Sequence, residues 1–510
     1  MSKRIASSDV TWLVMDQDTN LMQIHGMLRF ERSPDWDAVS ERVVSTLVQR
    51  YEVMRRHPHR SRGRWYWVED EQFDLANHIQ LIELPDMEDE TIQAYLSRRF
   101  AEPFDRSHPL WQIDYLVRAG DGAGGPGAFI LRVHHAMADG IRLVQLLLGM
   151  LDRDPDAVPP KVAWGYSGGR LGVAQRAAHT VADGMKDAAL GAASTVPRAV
   201  PALPRTIGGL VNPLNTPKHL RTARRLARRP VRITDALTNP TAPDNALTNS
   251  VRELTRLVLS NRPRNPVWIG GLGGTKQVSW VVDIDLDQIK VIRRAFGGTV
   301  NDVLLAVTSL ALTDYLRERH ATEGARPAHE FDLKQISWML PVSLKPFDAS
   351  LPDTLGNHFA VVLLTMPLGI TDPREVIAAM SERTTRIKHS AEPTVAFGFQ
   401  WVIAESPRKM AQAITTFFAN KTVGQLSNVP GPRSQVTLIG APVDQMVGWV
   451  PTTAQQPLGV CNFTYNGHAT IGLSADTRRV PDLERIAELL RRHMHDMYAA
   501  AAGPSSVRMA

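Results

Sequence analysis

The segment HHAMADG, residues 134–140, holds the residue types best suited to chemistry in this chain. A neutral histidine in a cleft is a general base near pH 7, and it can take the proton of a hydroxyl whose oxygen attacks a carbonyl. The structural alternative is a histidine packed in a core, followed by Asp139 as the cap of a helix. The residue types alone leave both interpretations open.

The side chains of the two adjacent histidines are predicted to face different surroundings. Neighbouring side chains on a strand point to opposite faces, so one of His134 and His135 faces a core and the other faces a cleft. This separation, and the lack of other clustered ligands, argues against a metal site. Gly140 permits a tight turn or the close approach of a ligand.

Hydrophobic periodicity places the motif on a strand-to-helix connection. Residues 128–133 have the composition of a strand, and from Gly140 the apolar residues recur at helical spacing. Further strands are predicted over residues 21–30, 278–284, 336–342, 359–364, 435–439 and 459–465. Helices are predicted from residue 36, over 285–296, from residue 301 and over 480–500.

Two α/β halves joined by a long connection fit this pattern best. We predict an N-terminal domain over residues 1–156, a crossover rich in proline and arginine over 157–266, and a C-terminal domain over 267–510. Between Pro217 and Ile233 there are seven basic residues and no acidic one. A helix of this kind can lie on anionic lipid, and the alternative is a solvated linker helix.

Charge and composition limit the classes of partner. The 510 residues carry 58 basic and 52 acidic side chains, a net charge of +6, which suits an anionic small molecule or membrane surface and excludes the typical nucleic-acid binder. No secretory signal is evident, and the most apolar run, 359–370, is too short to span a bilayer. These features predict a cytoplasmic protein with peripheral membrane contact.

The single cysteine, Cys461, excludes a disulfide scaffold and a cysteine-rich zinc site. It lies in the strand-like run GVCNFTYNG. We interpret it as a small buried residue, with a catalytic nucleophile as the alternative.

Several further motifs accompany HHAMADG in a fixed order, the first before it and the others after it. They are PLW at 109–111, ND at 301–302, LPVSLKP at 340–346, Gly356-Asn357, SNVPGP at 427–432 and YNGHATIGLSADTRRVPD at 465–482. Together they resemble the bacterial wax ester synthase/acyl-CoA:diacylglycerol acyltransferase family, actinobacterial type, within the HHxxxDG superfamily of CoA-dependent acyltransferases. Lys345 departs from the pattern, because such proteins often carry arginine there.

The resemblance implies a fold and roles for individual residues. The fold is mixed α/β, with two chloramphenicol-acetyltransferase-like domains and a channel between them. His135 would be the general base, His134 a structural residue, and Asp139 a structural support paired with an arginine, for which the segment 55–64 offers candidates. Asn301 is the candidate oxyanion donor; alternatively, Asn301 or Asp302 caps a helix that begins at Val303. The expected substrate-binding residues are Pro109, Leu110, Trp111, Gly140, Ser427 and Asn428.

The implied reaction moves a fatty acyl group from acyl-CoA to the hydroxyl of a diacylglycerol or a long-chain alcohol, by direct attack and without an acyl-enzyme. Acyl-CoA is then a substrate, and no metal or cofactor is expected. Two alternatives remain: a condensation-type enzyme with a carrier-bound acyl donor, and a non-catalytic protein of lipid-droplet surfaces. A comparison of acyl-CoA with acyl-carrier donors distinguishes the condensation-type enzyme from the CoA-dependent one. Lipid binding without esterification would identify the lipid-droplet protein.

Overall fold

The computed structural model describes residues 2–121, 124–152, 268, 270–322, 335–343, 355, 357, 359–389 and 408–503. The predicted crossover 157–266 with its basic segment, the boundaries drawn at either end of it, and residues Lys345 and Gly356 lie outside the described residues.

Strands and helices alternate along the described chain, as the periodicity predicts. The strands are β1 (Lys3–Arg4), β2 (Gln23–Phe30), β3 (Arg56–Ser61), β4 (Arg64–Glu69), β5 (Ile79–Leu84), β6 (Trp111–Arg118), β7 (Gly127–His134), β8 (Lys276–Asp285), β9 (Gln335–Ser343), β10 (Phe359–Pro367), β11 (Gly424–Pro430), β12 (Thr437–Leu438), β13 (Ala441–Pro442), β14 (Gln445–Trp449), β15 (Leu458–Tyr465) and β16 (His468–Asp476). The helices are α1 (Ser7–Met15), α2 (Trp36–Val43), α3 (Asp89–Phe100), α4 (Gly140–Met150), α5 (Leu286–Phe296), α6 (Val300–Thr322), α7 (Pro373–His389), α8 (Arg408–Ala419) and α9 (Leu483–Ala502).

The N-terminal half is built on a five-stranded sheet in the order β14-β2-β7-β6-β5. Strand β2 pairs antiparallel with β7, so that Gln23 lies opposite His134. The edge strand β14 comes from the C-terminal half and pairs with β2, with Trp449 opposite His25. The C-terminal half therefore completes the sheet that carries the histidine motif.

The C-terminal half contains a six-stranded sheet in the order β10-β9-β11-β15-β16-β8. The apolar faces of helices α5, α6 and α9 share one buried core with these strands. A separate group of buried residues packs strands of the two sheets against each other. It includes Met27, Ile130, Trp280 and Trp449. The two halves are thus packed directly together. Their sheets contain both antiparallel and parallel pairs of strands.

Helix α6 begins at Val300, three residues before Val303. Thr299 caps it: its N–H and its hydroxyl donate to Asp302, at 2.8 and 2.9 Å, and the Asp302 N–H donates back to Thr299. Thr384 of α7 donates to the other carboxylate oxygen of Asp302. Thr299 is therefore the N-cap of α6, and Asp302, in the first turn, completes a capping box and also ties two helices together.

Most of the predicted elements are present, and the mixed α/β class is confirmed. The prediction over 435–439 is wrong in extent, because only the two residues of β12 are extended before the chain reverses at Ile439 and Gly440, which have φ of 52° and 74°. Among the described helices, none is individually long and apolar enough to cross a membrane; α5 and α6 pass that test only as a pair, and they meet at 89°.

Candidate active site

A cavity of about 980 Å³, counted to its open mouth, lies between the two sheets. One wall comes from β2, β14 and the start of α4, and the other from β9, β10, β11 and β15. Apolar side chains such as Leu143, Leu147 and Met446 form most of its surface. The cavity can accept a long apolar chain.

His135 stands on the wall of this cavity and is 4% exposed. It follows the last residue of β7, and its backbone N–H donates to the Met22 carbonyl at 2.7 Å, which anchors it to the start of β2. The Trp12 ring stacks on the imidazole at 4.0 Å, and the Phe359 ring lies at 5.3 Å. The imidazole thus packs against two aromatic rings from the two halves of the chain, and these two rings also contact each other, with centroids 5.5 Å apart.

The hydrogen bonds of Asn357 define which nitrogen of His135 carries the proton. The Asn357 side-chain amide donates to the Asp9 carboxylate at 2.8 Å and to the His135 carbonyl at 2.9 Å. Its oxygen therefore faces the Nδ1 of His135, at 3.0 Å, and an oxygen there can only accept. Nδ1 carries the proton, and Nε2 keeps the lone pair that a base needs.

His135 is uncharged at neutral pH. Burial lowers its pKa from the ordinary 6.5 to about 4, and the nearby charge of His134 acts in the same direction. The structure thus holds a neutral imidazole in an apolar cavity.

His134 points away from this base, as strand alternation predicts. Its Nδ1 accepts from the Ala136 N–H at 3.0 Å, and its Nε2 lies 3.5 Å from the Asp16 carboxylate. Burial alone would raise the pKa of Asp16, but His134, the Met22 N–H and Arg106 outweigh it and lower the pKa to about 2. His134 is thus part of a buried polar cluster that closes the start of β2 onto the end of β7.

Asp139 is the N-cap of α4. Its carboxylate accepts the backbone N–H of Arg142 at 2.8 Å. Gly140 follows on the cavity wall, and a Cβ built there would meet no atom within 4 Å. Of the suggested arginine partners, Arg55 and Arg56 pair instead with Glu69.

Asn428 and Ser427 both line the cavity from strand β11. The Asn428 side chain donates to the Asn301 oxygen at 2.5 Å. Asn301 is 4% exposed, and its amide nitrogen makes no hydrogen bond to any residue the structure describes. The structure thus brings together the two predicted asparagines, with Asn428 at the cavity and Asn301 directly behind it.

The PLW motif lies elsewhere. Leu110 and Trp111 are fully buried in the N-terminal core, and the Trp111 indole donates to the Met54 carbonyl at 2.8 Å. Pro109 borders a different surface pocket, beside His108. None of the three is among the described residues that line the His135 cavity. Leu110 and Trp111 therefore lie in the N-terminal core, and the expectation that the three residues contact substrate stays a prediction.

Cys461 also borders the cavity, from β15, and is 3% exposed. Burial raises the pKa of its thiol to about 12. The thiol is therefore protonated at neutral pH and is a poor nucleophile, in agreement with its interpretation as a small buried residue.

Sequence reasoning missed three residues that hold the base. Asp9 and Trp12 lie on α1 with no local pattern to mark them, and they meet His135 only through tertiary packing. Asn357 was part of a motif but had no assigned role. The Gly356-Asn357 pair was the only signal that pointed to this position.

The same fold occurs in solved structures. The chain matches a wax ester synthase/diacylglycerol acyltransferase from Marinobacter aquaeolei VT8 with a TM-score of 0.59 and 18% identity, covering 98% of this chain and all of that one. It matches the first condensation domain of the calcium-dependent antibiotic synthetase with a TM-score of 0.52 and 14% identity, over 99% and 97% of the two chains. These likenesses show that the chain shares the fold of a wax ester synthase/diacylglycerol acyltransferase and of a condensation domain.

Sequence comparison identifies the family. The wax ester synthase/diacylglycerol acyltransferase catalytic domain matches residues 5–304, and the C-terminal domain of the same family matches residues 355–498. A Mycobacterium tuberculosis protein described as a diacylglycerol O-acyltransferase is 25% identical over 92% of this chain and 90% of its own length. A similarly described Mycobacterium bovis protein is 25% identical over 99% and 93%. The chain belongs to the wax ester synthase/diacylglycerol acyltransferase family and is an acyltransferase.

Proposed function

We propose that the protein transfers a fatty acyl group from acyl-CoA to the hydroxyl of a lipid acceptor, with His135 as the general base. The acceptor is a diacylglycerol, which gives triacylglycerol, or a long-chain alcohol, which gives a wax ester. The observation that carries the proposal is the neutral imidazole of His135 beside an apolar cavity, with its Nδ1–H engaged by Asn357 and its Nε2 lone pair free to accept a proton.

In the proposed reaction, Nε2 of His135 takes the acceptor's hydroxyl proton while the oxygen attacks the thioester carbonyl. The tetrahedral intermediate collapses by breaking the C–S bond. The imidazolium then gives its proton to the departing thiolate, so the products are an ester and free CoA. General base catalysis of this kind contributes about 10²–10⁴ in rate.

The Asn301–Asn428 pair is our candidate for stabilising the oxyanion. Asn428 lies on the cavity wall, and its hydrogen bond to Asn301 fixes its orientation. An amide N–H held in advance of the reaction can stabilise the developing negative charge, an effect worth about 10²–10³ in rate for one donor. Asn301 then acts by positioning Asn428, and this refines the role first assigned to it.

Direct attack fits the nucleophiles available. The Cys461 thiol on the cavity wall is held protonated by burial. Ser427, which was predicted to bind substrate, also lies on the cavity wall and carries a hydroxyl. We propose that neither forms an acyl-enzyme. Because the acceptors are lipids, we also propose that the protein works at a membrane or lipid-inclusion surface.

A panel of acceptors tests the proposed function. The full chain is incubated with palmitoyl-CoA and, in parallel, with hexadecanol, 1,2-dioleoylglycerol or no acceptor, and the products are separated by thin-layer chromatography. We expect ester in at least one acceptor reaction, in equal amount to the CoA released. Release of CoA without ester, or no turnover with any acceptor, would refute the proposal. Ester formation only from an acyl-carrier-protein donor would establish the condensation-type alternative.

The low pKa of His135 predicts an unusual pH dependence. A base acts when deprotonated, so activity falls as the pH falls through its pKa, and here that pKa is about 4. We expect kcat/KM to be flat from about pH 5.5 to 8, with no decline near the ordinary histidine value of about 6.5. Thiol release measured with a pyridyl disulfide over this range checks the prediction, with thermal unfolding recorded at each pH as the control. A fall in kcat/KM centred near pH 6.5 would show that His135 is not desolvated or is not the base.

A further inference from the structure

Asn462, on strand β15, is a buried amide whose hydrogen-bonding groups are not used within the described protein. Its side chain is 0% exposed, and neither its oxygen nor its nitrogen makes a hydrogen bond to a described residue. It lies in the run GVCNFTYNG, directly after Cys461. Because buried polar atoms in folded proteins are nearly always paired, an amide at this position requires an explanation.

The side chain of Asn462 faces the helices behind the cavity wall. Successive side chains of a strand point to opposite faces, and its neighbours Cys461 and Phe463 both line the cavity. Two positions earlier, Val460 belongs to the apolar core that β15 shares with helix α6. Asn462 therefore lies on the α6 side of the sheet, at a position where an aliphatic side chain would be usual.

The register of the sheet places Asn462 beside Asn428. In the parallel ladder of β11 and β15 the two asparagines lie directly opposite each other, on strands that are about 4.8 Å apart. The Asn428 amide in turn donates to the Asn301 oxygen at 2.5 Å. Asn301, Asn428 and Asn462 thus form one cluster, where the ends of two strands meet the first turn of α6.

Three polar atoms of this cluster have no partner among the described residues. They are the amide nitrogen of Asn301 and both side-chain polar atoms of Asn462. A buried water in a folded protein typically makes about three hydrogen bonds, to polar groups that are otherwise unsatisfied. One water beside the two side chains accepts an N–H from Asn301 and donates to the oxygen of Asn462, so donors and acceptors match.

The orientation of the Asn301 amide decides which group Asn428 presents to the cavity. An acceptor behind the Asn301 nitrogen keeps the Asn301 oxygen towards Asn428, and Asn428 must then turn its NH₂ group to that oxygen. One of its two N–H donors is used in this bond, and the other is available for an oxyanion. If the Asn301 amide turned over, two NH₂ groups would oppose each other, and the Asn428 amide would have to turn as well.

We propose that Asn462 is a positioning residue for acyl transfer, linked through a buried water to Asn301 and through Asn301 to the oxyanion donor Asn428. This inference rests on the proposed function. It explains why an aliphatic face of β15 carries an amide at this position. Asn462 does not touch the substrate; it acts by holding the Asn301 amide in the one orientation that leaves an Asn428 N–H for the reaction.

The test compares Asn462→Leu, Asn462→Asp and Val460→Ala in the full chain, by thiol release from palmitoyl-CoA with a lipid acceptor and by thermal unfolding. Leucine has a similar shape without polar atoms, so the melting temperature should change little. Its kcat should fall about tenfold with KM unchanged, less than the 10²–10³ for complete loss of an oxyanion donor. Aspartate keeps an acceptor oxygen and should retain most of the kcat. Val460→Ala, on the same face, should melt earlier and keep kcat.

A double-mutant cycle tests the link to Asn301. If Asn462 acts through Asn301, Asn462→Leu should lower kcat about tenfold in the wild type and have little further effect on Asn301→Ala. Losses of kcat that simply multiply would show two independent effects and would overturn the inference.

Wild-type kcat in a folded Asn462→Leu variant would also overturn the inference. So would a rise in KM as large as the fall in kcat, or an equal loss of kcat in Val460→Ala, since either would show a general structural effect. The wild type in the same assay separates this inference from the proposed function. If the wild type forms ester and Asn462→Leu matches it, the inference alone is refuted; if the wild type forms none, the proposed function is refuted together with it.

Discussion

Replacing His135 with alanine is expected to lower kcat for ester formation by about 10²–10⁴, the contribution of a positioned general base. The variant loses the Nε2 lone pair that the hydrogen bonds of Asn357 leave free at the cavity wall. Its KM for acyl-CoA should change little, because the side chain contributes to the proton transfer more than to binding. The measurement is thiol release from palmitoyl-CoA with a lipid acceptor present.

His134 provides the matched control, since it is as deeply buried as its neighbour at 1% exposed but contacts Asp16 and not the cavity. His134→Ala should lower the melting temperature while kcat stays within about tenfold of wild type, because the lost contacts are structural. The exposed histidine His59 serves as a surface control. Undiminished turnover by a folded His135→Ala variant would end the account of His135 as the base.

The second large effect is expected at Asn357. Leucine there removes the acceptor for Nδ1–H of His135 and the amide that joins Asp9 to this loop. The imidazole is then free to turn or to change tautomer, which takes the Nε2 lone pair out of position. A misplaced catalytic group costs on the order of 10² in rate, so kcat should fall about that much with KM little altered.

This effect is separable from simple loss of stability. Activity is measured well below the melting temperature of the variant, and Asn77→Leu, at an exposed asparagine, is the control. If Asn357→Leu melts earlier but keeps the wild-type kcat, the hydrogen bond to His135 only supports the fold. If kcat and stability both hold, the tautomer argument itself is wrong.

The strand-to-helix position of the motif was predictable because its signals are local. Alternating apolar residues define β7, and the stripe after Gly140 defines α4, so His135 had to lie between them. Strand alternation also separated His134 from His135 correctly. The alternative that Asn301 or Asp302 caps a helix beginning at Val303 is changed by the structure, because the helix begins at Val300, its N-cap is Thr299, and Asp302 bonds back to Thr299 from the first turn.

The support of His135 was not predictable from local patterns. Asp9 and Asn357 are separated by 348 positions in the chain, and their contact depends on how the two halves pack. The same holds for β14, a short strand of the C-terminal half that pairs with β2. Trp111 was singled out by a conspicuous motif, and the structure places it in the N-terminal core.

The paired asparagines show where sequence and structure complement each other. Asn301 and Asn428 were singled out separately, 127 positions apart, one for an oxyanion and one for substrate binding. In the structure a hydrogen bond joins the two asparagines, and Asn428 is the one that lines the cavity.

The central claim, direct acyl transfer on the neutral base His135, is tested most directly by a single-turnover experiment. Stoichiometric palmitoyl-CoA is mixed with the full chain, first alone and then with acceptor, and intact protein mass, free CoA and ester are measured together. The account predicts unchanged protein mass and no burst of CoA without acceptor, then equal amounts of CoA and ester once acceptor is added, with neither formed by His135→Ala. A palmitoyl adduct on the protein, or a burst of CoA before acceptor is added, would contradict it.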